Sequence, residues 1–337
     1  MEQKSKKRVA LALSSGGPRG FAYIGALEVL QERGYEVSAV AGTSIGALIG
    51  GAYAAGHLSD FKKWLLSLDT WKVFSLMDFS LSMTHIVKGE KIIEAIHEII
   101  PSVNIEDLSM PFSAVATNLY TGEEVLFDKG DLFFAIRASM SIPSLFKPVD
   151  YGNTVLIDGH SSNCLPLNRV QRSEGDILIG FDTNFFDVKA ITNLLNDVEQ
   201  KQTDYEELRI AKEAEVDAVV TSIREDENSS IWSKLKSYGS ARMKAIREVR
   251  SFREENIDTL PDTEWDSNYY EIIDRTFSIM NQHNTRLMVE LCKPDILVQM
   301  PFNSYDDISD YALAEEIIEK GRELMAKALD DYEASHN

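Results

Sequence analysis

Cysteine and long hydrophobic runs are both scarce in this sequence. Cys164 and Cys292 are the only cysteines among 337 residues, too few for a disulfide framework or a cysteine-based zinc site. No run of about 18 apolar residues occurs, and the apolar stretch after the basic amino terminus is too short for a signal peptide. We therefore expect a cytoplasmic protein without a transmembrane helix, whose contact with any membrane is peripheral.

Positive charge is also in short supply. Lysine and arginine number 34 against 54 aspartates and glutamates, which leaves a formal net charge of −20. This charge opposes long-range attraction to a phosphate backbone, so we expect no nucleic-acid binding. The glycine motifs G-x-x-x-x-G-K-[ST] and G-x-G-x-x-G, typical of nucleotide sites, are absent as well, which argues against a nucleotide ligand.

What is present is a globular composition with glycine concentrated at one end. With 44% hydrophobic and 26% charged residues, the chain is neither fibrous nor disordered, and its length suits one large domain with an appendage. Ten of the 19 glycines lie in the first 60 residues. They surround two apolar runs, Arg8 to Leu13 and Val37 to Ala41, with the helix-like stretch Phe21 to Gln31 between them. This pattern predicts a β-α-β unit with parallel strands.

The rest of the chain continues the alternation of strands and helices. Further strands are predicted at Pro111 to Leu119, Thr154 to Asp158, Asp176 to Asp182 and Pro294 to Met300, and a covering helix at about Asp310 to Asp330. The predicted class is therefore α/β. Residues 187–266 are charged, helix-forming and nearly free of glycine, so we interpret them as an inserted helical subdomain. The core is then divided into residues 1–186 and 267–337.

A G-x-S-x-G pentapeptide, Gly42 to Gly46, lies between a predicted strand and a predicted helix. This is the context of a nucleophile elbow, in which Ser44 stands on a sharp, strained turn. Gly42 and Gly46 let the strand and the helix approach each other, and the helix N-terminus favours developing negative charge. The alternative is an ordinary serine in a glycine-rich turn.

The turn Ser15 to Gly20 occupies the equivalent position in the first β-α-β unit, so the two turns should be neighbours at one edge of the sheet. Its main-chain N–H groups are suited to an anion pocket, except at Pro18, which has none. The candidate donors are therefore Gly16, Gly17, Arg19 and Gly20. One such donor contributes roughly 3 kcal/mol to an acyl-transfer transition state, which makes the turn a candidate oxyanion hole.

A serine nucleophile needs a proton acceptor, usually a histidine. Four of the six histidines lie in settings typical of solvated or structural side chains, namely His57, His85, His97 and His336. His160 and His283 remain as candidates. Asp158, two residues before His160, ends an apolar strand, and the carboxyl ends of strands in parallel sheets gather functional groups.

Four ordered motifs resemble those of the patatin-like phospholipase family. They are Gly16-Gly17-Pro18-Arg19-Gly20, Gly42-Thr43-Ser44-Ile45-Gly46, Ala138-Ser139-Met140-Ser141-Ile142-Pro143 and Asp158-Gly159-His160. The resemblance covers about residues 8–184 and resumes at about 272–329. It implies a three-layer α/β/α sandwich and a lipid acyl hydrolase of phospholipase A or lysophospholipase type, with a Ser44-Asp158 dyad and an oxyanion hole in the glycine-rich turn. The implied partner is a lipid or acyl-ester substrate, and no metal or organic cofactor is required.

His160 stands where the family has glycine or alanine. Its imidazole could contact the active site, bind substrate or be an exposed variant, and we favour the exposed variant. Two other functions stay open. One is a catalytically silent lipid-binding or scaffolding module of the same fold. The other is a Ser-His-Asp α/β-hydrolase using His283, although Ser44 follows only the second predicted strand, earlier than such enzymes place their serine.

The sign of the charge reverses within the predicted insertion. Ile231 to Arg253 contains seven basic residues and one acid, Glu248. The apolar residues of this segment fall roughly on one helical stripe, and they are Trp232, Leu235, Tyr238, Ile246, Val249 and Phe252. Such a helix either lies on an anionic membrane or packs on the protein with its charges solvated. We favour packing and keep peripheral membrane contact through residues 231–253 as the alternative.

Overall fold

The computed structural model describes residues 7–68, 90–143, 146–226, 230–256, 269–305 and 309–336. Contacts between Cα atoms divide the chain into two units. The larger unit comprises Met1–Phe186 and Tyr269–Asn337, and the smaller one Asp187–Asn268. The last residues of the predicted insertion, 257–266, lie outside the described part of the chain, and the three-part domain division stays a prediction.

Within the described residues, one sheet of eight strands forms the centre of the larger unit. In chain order the strands are β1 (Lys7–Leu13), β2 (Tyr35–Thr43), β3 (Phe112–Asn118), β4 (Glu124–Phe127), β5 (Val149–Tyr151), β6 (Thr154–Asp158), β7 (Ile177–Phe185) and β8 (Ile296–Pro301). Their spatial order is β5-β6-β3-β2-β1-β7-β8, with β4 paired to β3. Neighbouring strands are parallel along the path β3-β2-β1-β7-β8. Strands β4 and β6 each pair antiparallel with β3, and β5 pairs antiparallel with β6. The sheet is therefore mostly parallel, as predicted.

The described helices are distributed over both units. Those of the larger unit are α1 (Ala22–Glu32), α2 (Ile45–Ala54), α3 (Leu58–Leu66), α4 (Glu90–Ile99), α5 (Leu132–Ser139), α8 (Tyr269–Cys292) and α9 (Ala314–His336), and those of the smaller unit are α6 (Val188–Glu225) and α7 (Ile231–Asn256). No helix in the described ranges is long and apolar enough to cross a membrane.

Strand β1 is buried on both faces because it lies in the middle of the sheet. Val9, Leu11 and Leu13 point into the main core, which also contains buried residues of α1, α2 and α9. Ala10 and Ala12, of opposite parity, point into a second cluster that includes side chains from the end of α8. Helices therefore cover both faces of the sheet, which confirms the three-layer α/β/α fold.

The first β-α-β unit is formed as predicted, with β1 and β2 parallel and α1 between them in the chain. Strands β4 and β5 were not predicted from the sequence. These strands have four and three residues, and most of their side chains are exposed or half-buried. They therefore lack the long apolar run by which the central strands are recognised.

Two glycines bring α1 and α9 unusually close. A Cβ atom built on Gly25 would lie 2.0 Å from the carbonyl oxygen of Ile318, and one on Gly321 would lie 1.9 Å from that of Ala22. Real Cβ atoms do not approach backbone oxygens so closely. The two helices thus pack backbone to backbone at this crossing.

The apolar residues of α7 lie along one broad stripe of the helix, and only one edge of this stripe packs on α6. Phe252 stacks on Tyr205 of α6 with 6.5 Å between ring centroids, and Glu248 accepts a 2.7 Å ion pair from Lys212 of α6. By contrast, Trp232 is largely exposed. Phe252 therefore lies at the packed edge of the stripe and Trp232 at its exposed edge.

Candidate active site

Ser44 stands on a strained turn between the end of β2 and the start of α2. Its φ of 56° and ψ of −121° lie outside the regions that residues with a Cβ normally adopt. The side chain is buried. A Cβ on Gly42 would lie 2.3 Å from the carbonyl oxygen of Gly46, and one on Gly46 would lie 2.4 Å from that of Leu13. Only glycine at both positions allows the strand to turn directly into the helix.

Asp158 reaches this turn across strand β3. Thr43, next to Ser44, pairs with Val115 of β3, and Asp158 pairs with Ala116, one residue further along the same strand. From the sequence, Asp158 was expected at the carboxyl end of a strand in a parallel sheet. In fact β6 runs antiparallel to both of its neighbours, so strand register rather than strand direction brings the two side chains together.

Gly159 makes this approach possible. A Cβ at this position would lie 2.2 Å from the carbonyl oxygen of Val115 and 3.0 Å from the Thr43 side chain. Because Gly159 has no Cβ, the chain following Asp158 passes directly over the end of β2. The glycine was visible in the fourth motif, but its steric reason appears only in the structure.

The Asp158 carboxyl is buried and only half satisfied. Its Oδ1 accepts a 2.7 Å hydrogen bond from the main-chain N–H of His160, while Oδ2 has no hydrogen-bond partner of ordinary geometry among the described residues. Burial raises the pKa of Asp158 from 3.8 to about 7, and the nearby Ser44 side chain and the His160 N–H offset part of this rise. Ser44 thus acts on this carboxyl without forming a well-aligned hydrogen bond to Oδ2. The carboxyl is poised to exchange a proton near neutral pH.

The third motif holds the backbones of both residues. The Ser139 hydroxyl accepts a 2.8 Å hydrogen bond from the main-chain N–H of Ser44, and the Ser141 carbonyl accepts one of 2.9 Å from that of Asp158. Thr117 adds a hydrogen bond from its hydroxyl to the Asp158 carbonyl, at 2.9 Å. The sequence marked residues 138–143 as a motif near the site, but not these individual contacts, which depend on the tertiary fold.

The glycine-rich turn lies against the Ser44 turn, as predicted. Gly16 and Gly17 both have positive φ, 151° and 53°, and Gly17–Phe21 forms a short 3-10 helix. A Cβ on Gly16 would lie 2.1 Å from the Thr183 hydroxyl, and one on Gly20 would lie 2.4 Å from the side chain of Ile45, the residue after Ser44. The turn is therefore wedged between β7 and the first residue of α2.

Arg19 anchors the glycine-rich turn through its buried guanidinium. Nε donates to the Thr183 carbonyl at 3.0 Å, and the terminal nitrogens donate to the Tyr305 carbonyl at 2.9 Å and to the Asn184 side chain at 3.5 Å. The Ser15 carbonyl accepts further hydrogen bonds from Thr183 and Asn184. These contacts fix the path of the turn relative to β7. Because they engage the Arg19 side chain, the candidate oxyanion donor at this residue is its main-chain N–H.

His160 is not the exposed variant that we favoured. Its ring is half-buried and makes hydrogen bonds at both nitrogens: Nδ1 with the Ser15 hydroxyl at 2.5 Å, and Nε2 with the Asn281 side-chain amide of α8. Burial, with the positive charge of Arg19, lowers the pKa of His160 to about 4, so the imidazole is neutral at pH 7. Because Asn281 donates to Nε2, Nδ1 carries the proton and donates to Ser15.

No histidine in the described part of the chain hydrogen-bonds to Ser44. Both nitrogens of His160 are engaged elsewhere, and His283 is exposed on α8. His85 lies outside the described residues. Within those residues, no group of three or more histidine, cysteine, aspartate or glutamate side chains is placed to hold a metal ion. Among the described residues, the buried carboxyl of Asp158 is therefore the candidate proton acceptor for Ser44.

Comparison with known proteins agrees with the motifs. The family model for patatin-like phospholipase matches residues 11–169, a segment that contains all four motifs together with Ser44 and Asp158. An uncharacterized NTE family protein of Mycobacterium bovis is 42% identical over 180 residues, which are 53% of this chain and 50% of that protein.

Two eukaryotic relatives match at lower identity. A lysophospholipase of Debaryomyces hansenii is 28% identical over 197 residues, 56% of this chain and 12% of that protein. The neuropathy target esterase sws of Drosophila melanogaster is 30% identical over 199 residues, 56% of this chain and 14% of that protein. The chain spans about half the length of the mycobacterial relative and a smaller part of these two. Residues 11–169 are therefore similar to the patatin-like phospholipase family, which is the extent of the chain that the family model matches.

Proposed function

We propose that this protein is a serine lipid acyl hydrolase, a carboxylic ester hydrolase of phospholipase A or lysophospholipase type, that uses a Ser44-Asp158 dyad. The observation that carries the proposal is the pairing of a serine on a strained turn with a buried carboxyl whose pKa is about 7 and whose Oδ2 has no hydrogen-bond partner of ordinary geometry among the described residues. The printed names of the relatives, a lysophospholipase and an esterase, support an ester of a lipid as substrate.

In the first step, the Ser44 oxygen attacks the carbonyl carbon of the acyl ester while its proton passes to ionised Asp158. The carbonyl oxygen becomes an oxyanion. The main-chain N–H groups of the glycine-rich turn, at Gly16, Gly17, Arg19 or Gly20, are the proposed donors to it, together with the N-terminus of α2. Asp158 then returns its proton to the leaving alcohol, and the acyl group stays on Ser44.

In the second step, a water molecule attacks the acyl-enzyme. Asp158 takes one proton from the water, and the carbonyl oxygen again develops negative charge in the same pocket. Collapse of this intermediate breaks the bond to Ser44, which regains its proton from Asp158, and the free acid leaves. The cycle uses no metal or organic cofactor.

The first test of the proposal is active-site labelling. A fluorophosphonate probe should label the wild-type protein at one serine, and the label should disappear in Ser44→Ala. Ser162→Ala is the matched control. This serine lies near the dyad but hydrogen-bonds to Thr117, so we expect its substitution to leave labelling intact. Labelling that survives in Ser44→Ala would remove Ser44 as the nucleophile.

Activity on a panel of phospholipids, lysophospholipids and short-chain esters separates the enzyme from a silent lipid-binding module. We expect turnover by the wild type and none by Ser44→Ala. Lipid binding with no turnover on any member of the panel would favour the silent module. A cytoplasmic location is part of the same proposal, and fractionation of cells that express the protein tests it.

A further inference from the structure

Helix α7 presents an exposed apolar face that the smaller unit does not cover. Trp232 is 82% exposed, and Leu235, Met243 and Ile246 are between 52% and 61% exposed. These four residues, which we call the outer face, are spaced by three, eight and three residues and so lie on one side of the helix. A large indole with most of its surface in water is an unusual feature for a packed helix.

The adjoining face of α7 already has its partner. Phe252 stacks on Tyr205, and Glu248 pairs with Lys212, both on α6. The half-buried residues of α7, among them Tyr238 and Val249, belong to this inner side. The outer face is therefore not needed for the packing of α7 on α6, and its apolar side chains are available to something else.

Exposed basic side chains flank the outer face. They are Lys236, Arg242 and Arg247, together with Arg250, whose Nε also pairs with Glu254 at 2.7 Å, and over Ile231 to Arg253 seven basic residues stand against one acid. The whole chain has a net charge of −20, so this segment is a local reversal of sign. A surface that combines exposed tryptophan and leucine with flanking lysine and arginine is complementary to anionic lipid, where the aromatic ring enters the interface and the cations meet the headgroups.

We propose that the outer face of α7 is a docking surface for the anionic face of a lipid bilayer. This inference rests on the proposed function, because a lipid hydrolase must reach acyl chains that are held in a membrane. Salt screens the repulsion between the acidic protein and such a surface beyond about a Debye length, so the exposed cations of α7 can meet the headgroups at contact.

The binding experiment uses sedimentation with vesicles and the full chain carrying Ser44→Ala, so that no lipid is hydrolysed. We expect binding to vesicles of phosphatidylglycerol mixed with phosphatidylcholine at low salt. We also expect weak binding to phosphatidylcholine alone, and release at high salt. Trp232→Ser combined with Leu235→Ser should lower the partition coefficient about tenfold. Arg242→Gln combined with Arg247→Gln should lower it by a similar factor, again about tenfold.

Leu287→Ser combined with Leu291→Ser is the matched control. These leucines of α8 are equally exposed but lie outside the basic segment, so the double variant should bind vesicles as the parent does. All substituted side chains are on the surface, and unchanged circular dichroism and melting temperature are expected for each variant.

Hydrolysis distinguishes failure of this inference from failure of the proposed function. For this experiment the protein retains Ser44. Trp232→Ser with Leu235→Ser should then leave hydrolysis of a water-soluble short-chain ester unchanged and reduce hydrolysis of phosphatidylglycerol vesicles. Vesicle binding without any ester hydrolysis would overturn the function and keep the docking surface. The docking surface is overturned if the parent ignores anionic vesicles at low salt, or if the double variants bind as well as the parent. It is also overturned if the outer face instead mediates a dimer that the substitutions abolish.

Discussion

At the scale of single residues, burial gives Asp158 its chemistry. An exposed carboxyl would be ionised and weakly basic at pH 7, whereas burial raises the pKa of Asp158 to about 7. Keeping this carboxyl buried in its ionised form lowers the free energy of unfolding. The same buried carboxyl thereby links the proposed catalysis to the pH dependence of folding.

Asp158→Asn should abolish turnover and yet stabilise the protein at pH 8. The folded pKa of about 7 lies above the ordinary value of 3.8, so the folded state holds the proton more tightly. Stability therefore falls as pH rises from about 4 to 7, and the loss is complete above about 7. Asparagine carries no charge to bury, and we expect the free energy of unfolding at pH 8 to rise by about 2–4 kcal/mol, with little gain at pH 4.

Urea unfolding of both proteins at the two pH values measures this difference. Burial also raises the pKa of Asp182, to about 6, so this group makes stability fall with rising pH in the same way. Because it is present in both proteins, its contribution cancels in the comparison. The exposed Asp150→Asn is the control and should show no such gain. An Asp158→Asn protein that is no more stable than the wild type at pH 8 would contradict the raised pKa.

The rate of ester hydrolysis should follow the ionisation of Asp158. Because the base must be ionised to accept the Ser44 proton, we expect kcat/KM to rise about tenfold per pH unit below the pKa and to level off above it. The bend should lie near pH 7. A water-soluble short-chain ester measures the profile without membrane effects. A profile that is flat from acid to neutral pH would argue against Asp158 as the base.

His160 should matter through the position of the glycine-rich turn. In His160→Ala the Ser15 hydroxyl loses its Nδ1–H donor and the buried Asn281 amide loses its acceptor. We expect kcat to fall roughly tenfold to a hundredfold with little change in KM, since the oxyanion donors are used mainly in the transition state.

His160→Asn is the matched variant, because its amide nitrogen occupies nearly the place of Nδ1 and restores the bond to Ser15. It should recover most of the lost kcat. Since the pKa of His160 is lowered to about 4, the wild-type profile should show no additional bend at the usual pKa of histidine, about 6.5. An Ala variant with unchanged kcat would show that this side chain does not position the turn.

At the scale of elements, backbone contacts decide which helices and strands fit together. The apolar runs and turn glycines predicted β1, α1, β2 and the turn at Ser44 within one or two residues. They did not predict β4 and β5, because three or four half-exposed residues carry too little pattern. For α7 the sequence showed which residues form the apolar stripe, but not which edge of the stripe the neighbouring helix covers.

The crossing of α1 and α9 gives a prediction for stability. Gly25→Ala and Gly321→Ala each insert a methyl group against a backbone oxygen that cannot move freely, and each should lower the free energy of unfolding by about 1–3 kcal/mol. Gly239→Ala is the control, because this helical glycine of α7 has nothing within 4 Å of an added Cβ. It should instead stabilise the protein by about 0.5–1 kcal/mol. Thermal unfolding that ranks the three variants differently would contradict backbone contact at the crossing.

At the scale of the whole molecule, charge is distributed unevenly. A net charge of −20 keeps copies of the chain apart at neutral pH, while the basic residues of α7 lie within an acidic background. The isoelectric point of the sequence is about 4.7. The net charge of the whole chain therefore says little about the surface of α7 where a membrane is proposed to dock.

Solubility should follow the net charge of the whole chain. We expect a minimum close to pH 4.7, where the net charge vanishes and self-repulsion is lost, and high solubility at pH 8. Turbidity across a pH series at fixed ionic strength measures this. Minimal solubility near neutral pH would instead indicate that local patches, such as the outer face of α7, dominate self-association.

The sequence by itself determined the α/β class, the central parallel strands and the four motifs, because apolar runs and turn glycines are local signals. It also pointed to Ser44 and Asp158 as candidates. Only the tertiary structure decided that β6 is antiparallel, that register along β3 brings Asp158 to Ser44, and that His160 joins Ser15 to Asn281. These contacts join residues far apart in the chain, and burial of the carboxyl, which sets its pKa, exists only once those distant segments have packed around it.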